Sequence, residues 1–385
     1  MRILKFEIKK LVSLPMLWIF LVLCLGLNGA IVISGTYGMN TAKYLSYISK
    51  TVLQTGIGMG KEFDQKLSKM PEEKWKDDLV LATRNAQSFL KSEVAVNVGE
   101  ILISQYGISG FWADKMKEKY EKLQGAVETL KQQEADLSVY AADITYDMHQ
   151  LLFSSLFRAI TTESCLFAVL LMLYVFGFEK QNHTEQIVYS TYRGRKVQKE
   201  KIGAGLLIVI MYFVILTGLS LFCFFSVYDF SGIWDSSVSS QFNYIQCYGY
   251  KKPFWTWIPF TLRSYFVAML VLAVVLTLVF SLFGALIGLL CRNTYMGFVM
   301  FLAIALGMVA LPVICADVGI WEGYFFAELL PTSLWFYSPE WLTDLGAVSL
   351  MPWHETIGLI GNIIVFIVIV QVGLAHFAVQ DCKKD

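Results

Sequence analysis

Hydrophobic and polar positions alternate along this chain in long blocks. Six stretches of 20 to 32 residues carry no Asp, Glu, Lys or Arg, or only one: Leu11 to Ala42, Ala159 to Phe178 (broken by Glu163 alone), Ile202 to Tyr228, Ser264 to Cys291, Asn293 to Ala316 and Thr356 to Gln380. A helix needs about 20 residues to cross the ~30 Å hydrocarbon core of a bilayer. The pattern therefore predicts an all-α membrane protein with six transmembrane helices, at 13–36, 156–178, 202–228, 264–291, 293–316 and 356–380.

Between the first two spans the pattern changes. From Met116 the residues Tyr120, Leu123, Val127 and Leu130 follow at spacings of four and three, and the seam continues past Glu134 through Leu137, Ala141, Ile144, Met148 and Leu151. A heptad seam held for about five repeats without proline predicts one long helix running straight into the second span. At ~1.5 Å per residue it would stand roughly 50 Å tall. Pro71 followed by Glu72 and Glu73 reads as an earlier helix start. The stretch from there to Tyr106 has helical composition, and Gly107 and Gly110 offer a turn. Residues 37–155 are thus expected to be an extracellular domain built on an antiparallel helical hairpin. Its seam either packs the hairpin against itself or docks a second subunit or an extracellular ligand.

Two further segments lie between spans. Residues 229–263 form a short loop. Residues 317–355 are dense in aromatics, among them Trp321, Trp335, Trp341 and Trp353, with Pro331, Pro339 and Pro352 cutting them into pieces. Aromatics of this kind favour the headgroup level, which predicts short re-entrant helices at the outer leaflet.

Charge fixes an orientation. Arg2, Lys5, Lys9 and Lys10 precede the first span, six Lys and Arg lie in 179–201, Arg292 lies between spans four and five, and Lys383 and Lys384 sit in the tail, whereas Asp317 to Glu355 has none. The positive-inside rule then places both termini in the cytoplasm, with 1–12 as an amphipathic interfacial helix and 381–385 as a cytoplasmic tail. The domain over 37–155 is charge-balanced, and the whole chain has formal net charge zero, which gives no reason to invoke nucleic acid. Hydrophobic residues make up 56% of the sequence, consistent with membrane lipid as the surrounding medium. The N-terminal apolar run is too long for a secretory signal and is read as a retained span.

The cytoplasmic connection 179–201 is the most specific segment. It runs Glu179, Lys180, Gln181, Asn182, His183, Thr184, Glu185, Gln186, Ile187, Val188, Tyr189, Ser190, Thr191, Tyr192, Arg193, Gly194, Arg195, Lys196, then Lys201. The apolar Ile187 and Val188 between polar ends predict a short helix able to bury against a partner, with Arg193 and Arg195 available to acids. This order resembles the intracellular loop of the permease subunits of type-2 ABC transporters: an acid after span two, a Thr, an apolar stretch, a Ser-Thr pair, an Arg, and a Lys entering span three. His183 stands where that family usually has Gly. The six spans, the amphipathic start from Phe6 to Leu11 and the aromatic pieces before the last span are also similar, while the large outer domain is not a general family feature.

The resemblance implies a permease subunit that exports a hydrophobic or amphipathic substrate, such as an antimicrobial peptide or a drug, from a bacterial cell across the plasma membrane. It implies as partners an ABC ATPase subunit, in two copies, and a second permease half, either another copy of this chain or a sister chain. Glu179, Thr184, Glu185, Ile187, Val188, Ser190, Thr191, Arg193 and Arg195 would then couple to that ATPase. No P-loop spacing occurs in the chain, so no cofactor is expected here, and ATP and Mg would be bound by the partner subunit. No nucleophile, base and orienter can be grouped, so an enzyme is disfavoured. A competing expectation is a non-transporting sensor or immunity component that binds an extracellular peptide through its hairpin. Seven scattered Cys and four separated His give no disulfide framework or metal spacing. Glu163, the one acid inside a span, either lines a pathway or pairs with Arg158 or Arg263. Gly284 and Gly288 form a small-x-x-x-small pair whose neighbour is either intramolecular or a second copy.

Overall fold

The computed structural model describes residues 2–35, 40–84, 86–189, 197–247, 250–291 and 293–379. Six of its helices are long and apolar enough to cross a membrane, so the chain is an all-α, multi-pass membrane protein. Amphipathic α1 (Arg2–Val12) leads into α2 (Pro15–Ser34). Pro15 occupies the first helical position of α2, where its missing N–H has no intrahelical partner to lose. The second span is one 40-residue helical run, Ala142–Gln181. It contains α8 (Thr145–His149), a π-helical stretch over Gln150–Phe157, and α9 (Arg158–Gln181). After the short α10 (Glu185–Tyr189) come α11 (Val197–Val227), α12 (Leu262–Cys291), α13 (Thr294–Val318) and, last in the chain, α16 (His354–Val379).

Helix α9 is the centre of the bundle, in contact with α2, α11, α12 and α13. Gly284 and Gly288 of α12 explain the closest of these approaches. A Cβ on Gly284 would lie 2.9 Å from Cα of Val169 and 3.1 Å from its carbonyl oxygen, and one on Gly288 would meet the Phe176 ring. The small-residue pair is therefore used within the chain. Helices α2, α13 and α16 instead leave rows of apolar side chains exposed, including Val22, Leu306 and Ile364. Apolar surface of this kind costs nothing against lipid tails.

At the end of the spans away from α1 sits the domain formed by residues 40–144. It contains α3 (Asn40–Thr55), α4 (Lys61–Ser68), α5 (Lys76–Thr83), α6 (Ala95–Tyr106) and α7 (Phe111–Gln132). Helices α6 and α7 pack against each other across the short connection from Gly107 to Gly110. Gly107 (φ 63°) caps α6 and Gly110 (φ 60°) opens α7, both in the left-handed region that favours glycine. The seam Met116, Tyr120, Leu123, Val127 and Leu130 is fully buried, and it packs with Leu90, Leu102, Trp255, Trp257 and Phe325 of the same chain.

The structure corrects several expectations. The single rod from Met116 into the second span does not form: α7 ends at Gln132, and Glu134 (φ 47°), Tyr140 (φ 47°) and Ala142 (φ 50°) all leave the helical region. The backbone of this break is satisfied elsewhere, with Met59 N–H donating to Leu137 O (2.7 Å) and Val139 N–H to Ile57 O (2.8 Å). Val139, Tyr140 and Ala141 are fully buried there, so core burial outweighs continuation of the helix. Pro71 does not start a helix either. Lys76 donates to Met70 O (2.7 Å) and Ser68 O (3.3 Å) beyond α4, which holds 69–75 as a connection, and α5 begins only at Lys76. The stretch on to Tyr106 is divided again by a 3-10 turn at Leu90–Ser92.

A two-stranded hairpin that the pattern did not suggest, β1 (Tyr244–Cys247) with β2 (Tyr250–Pro253), lies in the loop over 229–263. The aromatic segment forms the expected short helices, α14 (Trp321–Ala327) and α15 (Pro331–Phe336), in contact with α13 and α16 respectively. Trp341 is nevertheless fully buried, with its indole N–H on Leu334 O (3.1 Å), so it serves the protein core and not a headgroup layer.

A buried ionic cluster joins α7 to this segment. Lys119 donates to Ser349 O (2.8 Å) and Gly346 O (2.5 Å), while Asp344 pairs with Lys252 and accepts from Tyr120 OH (3.0 Å). Burial pulls the Lys119 ammonium down to about 7 from its ordinary 10.5. The unfolded chain binds that proton up to pH 10.5 and the folded one only to about 7, so the domain gains stability as pH rises between those values. Lys119→Met is expected to remove this rise, read as the difference in unfolding midpoint between wild type and variant across that window. Gly284→Ala is expected to cost ~1–3 kcal/mol by overpacking α12 on α9. Gly218→Ala, with nothing within 4 Å, should stay within ~0.5 kcal/mol in the same detergent unfolding assay.

Candidate functional site

The carboxylate of Glu179, on the last turn of α9, is only 4% exposed. It lies between two ammonium groups: Lys201 of α11, 1% exposed and in direct ion pair with it, and Lys10 of α1 at 3.6 Å. Lys10 also reaches Glu7 at 3.4 Å and stands 3.4 Å above the Phe178 ring centroid. Two acids and two bases thus alternate across three helices. The charges are largely removed from water, and each meets an opposite charge that offsets part of the cost of burying it.

The turn out of α9 follows from local bonding. Asn182 Nδ2 donates to Phe178 O (2.8 Å), His183 N–H to Lys180 O (3.2 Å), and Thr184 N–H to Glu179 O (2.9 Å). His183 sits at φ 54°, in the left-handed region. That geometry explains why a glycine would suit this position, and a histidine holds it at a modest steric cost of ~1 kcal/mol. Thr184 O then accepts from Val188 N–H (3.0 Å), opening α10 over Glu185–Tyr189. Ile187 is 68% exposed on this short helix, Val188 is half-buried, and so is Thr184. Glu185 lies within α10. Ser190, Thr191, Arg193 and Arg195 lie outside the described residues.

The connection between α9 and α11 is therefore clasped at its base, because its flanking residues Glu179 and Lys201 pair with each other. The far side of the clasp is braced by α13. Gly177 lies so close to Thr294 that a Cβ would meet its hydroxyl at 2.5 Å, and Gln181 Nε2 donates to Thr294 Oγ1 (3.3 Å). Asn293 caps α13 by accepting from Tyr295 N–H (3.0 Å) and Met296 N–H (3.2 Å).

Sequence reasoning singled out Glu179 but not Glu7 and Lys10 as members of the same site. The signal was available: on amphipathic α1, Glu7 is the one acid and shares a helical face with Lys10 three residues later.

Glu163 belongs to a separate polar cluster within the spans. Asn28 Nδ2 of α2 donates to Glu163 Oε2 (2.9 Å) and to Ser220 Oγ of α11 (3.0 Å). Neither expected arginine partner is used: Arg158 stacks over Trp335 and Phe336 at 5.2 Å each, and Arg263 pairs with Asp235 at 3.4 Å. Asn28 was legible only as the single Asn inside the first uncharged run before its end. No group of three His, Cys, Asp or Glu able to hold a metal occurs among the described residues.

Breaking the clasp on one side is expected to cost more than removing it. Glu179→Leu should lower stability by ~3–5 kcal/mol, because Lys201 stays buried without its carboxylate. Adding Lys201→Met should recover most of that loss in thermal unfolding of the purified protein. A double variant as weak as the sum of both single ones would contradict the buried-pair assignment.

Comparison with protein-family models, curated proteins and solved structures gives no match to this chain, so the role of the Glu179 end has to be argued from its own residues.

Proposed function

We propose that this chain is the permease subunit of an ATP-driven exporter, worked through the connection between α9 and α11 by a separate ATPase subunit. The observation that carries the reading is the buried Glu179–Lys201 ion pair at the base of a short helix that presents Ile187 to the outside. A push on α10 is delivered to a rigid joint. Because Glu179 also meets Lys10, that joint moves the ends of α9, α11 and α1 together. An exposed β-branched side chain on a polar connection is an anchor suited to a groove on a partner.

In this reading α10 faces the cytoplasm, both termini are cytoplasmic, and the domain over 40–144 is extracellular, as the Lys and Arg distribution supports. The membrane is the bacterial plasma membrane. ATP and Mg bind the partner subunit, two copies of which serve two permease halves. The cargo is a hydrophobic or amphipathic molecule, an antimicrobial peptide or drug by class, and Glu163 with Asn28 and Ser220 forms a polar station on its way.

The test is co-purification from native membranes, followed by ATPase assay in vesicles. Wild type is expected to bring down an ATP-binding-cassette subunit. Ile187→Asp should lose that subunit while keeping an unchanged unfolding midpoint, because the replaced side chain is exposed. If wild type carries no ATPase, or if Ile187→Asp retains it with full activity, the coupling role is wrong.

A further inference from the structure

The hairpin of α6 and α7 is tied to the membrane-spanning part of the chain. Its turn lies against the helix that directly follows a span. Trp112, second residue of α7, donates its indole N–H to Glu322 Oε1 (3.0 Å) and stacks near Phe325, ring centroids 5.3 Å apart. Both partners belong to α14, which starts only three residues after α13 ends at Val318. The turn is therefore held next to the end of α13, one of the six helices apolar enough to cross a membrane.

The surface presented there is apolar. Phe111, the first residue of α7 at the hairpin tip, is 62% exposed, as is Ile101 six residues before the Gly107 cap, and at α14, which holds Trp112, Ile320 and Phe326 are exposed too. Ile320 directly follows the exposed apolar row of α13 that ends at Val318, and α14 packs on α13. The sequence marks the same place independently: residues 101–113 carry no charge, the longest such run between Lys43 and Arg158. Asp114 and Lys115 follow, the Lys115 ammonium standing 5.9 Å from the Phe111 ring centroid and pairing with Glu118 at 2.7 Å, so the polar edge begins directly behind the apolar tip. Between Trp112, Phe325, Phe326, Leu329 and Leu350 lies an apolar cavity of about 210 Å³ that opens on this surface.

We propose that the outer end of the hairpin, with Phe111 at its tip and Ile101 further along α6 as its anchors, is a lipid-contacting surface seated in the headgroup region of the leaflet at that end of the spans. Continuity with the lipid-facing surface of α13 names the occupant. The tip gives the domain a second attachment to the bilayer besides its covalent links to α2 and α9, so the domain lies along the membrane. This placement does not depend on the exporter reading, since it requires only that the six helices cross a bilayer.

An environment-sensitive fluorescent amino acid placed at Phe111, at Ile101, or at Leu81 decides the matter in lipid nanodiscs. Leu81 is 78% exposed on α5 and serves as the water-facing reference. Lipids brominated near the headgroup are expected to quench the probes at Phe111 and Ile101 several-fold more than the probe at Leu81, while aqueous iodide shows the reverse order. Equal bromolipid quenching at all three positions would overturn the proposal. So would shielding of Phe111 and Ile101 from both quenchers, because that would mean protein covers the tip.

Discussion

The membrane part is organised by the approach of α12 to α9, and that approach depends on two side chains being absent. Helices in lipid gain little from the hydrophobic effect, so their association depends on backbone proximity and dispersion contacts. At Gly284 the facing surface is the Val169 backbone itself, and at Gly288 it is the Phe176 ring. With α12 set there, α9 is enclosed, and α11 can lean on it through Gly205 against Met172. The peripheral helices α2, α13 and α16 need no comparable closeness and keep apolar faces for the bilayer.

Around that centre, polar groups are admitted only where they find one another. Glu179 and Lys201 are too deep to be solvated, and each makes the burial of the other tolerable. The same logic holds at the opposite end for Asp344 with Lys252 and Tyr120. Both clusters join elements far apart in sequence, so each specifies tertiary arrangement more than it adds net stability. In the first the lysine comes from α11, and in the second from β2.

The six spans were legible in the sequence because the signal for a membrane helix is composition over a long window, and nothing in the tertiary structure competes with it. The turn between α6 and α7 was legible for a related reason: Gly107 and Gly110 have φ values that few other residues adopt readily, and the seam from Met116 to Leu130 keeps strict spacing. Beyond Leu130 the periodicity misled. Ala141 is buried in the break itself, Met148 and Leu151 continue the heptad arithmetically but belong to a different helical run, and Glu134, the one polar member of the seam, marked where the path changed. The β1–β2 hairpin was invisible for want of alternation: its strands are four residues each, and its pairing is read from backbone bonds. At the candidate site Glu179 could be named from its neighbours in the chain. Lys10 was legible as the neighbour of Glu7 on α1 but not as a partner of Glu179, since that pairing depends on α1 folding back beneath α9 and α11.

The paired backbone bonds between Ile57–Met59 and Leu137–Val139 bring the entrance and exit of a long excursion to adjacent points. Everything from Gly60 to Asp136 is consequently an insertion with touching ends, closed at its neck like a drawstring bag. Chain can be added or trimmed beyond such a neck without altering the separation of the two strands that enter it. Variation in the size of the lobe is thereby uncoupled from the spacing of α2 and α9, and the bundle can keep its geometry while the part beyond the neck changes shape.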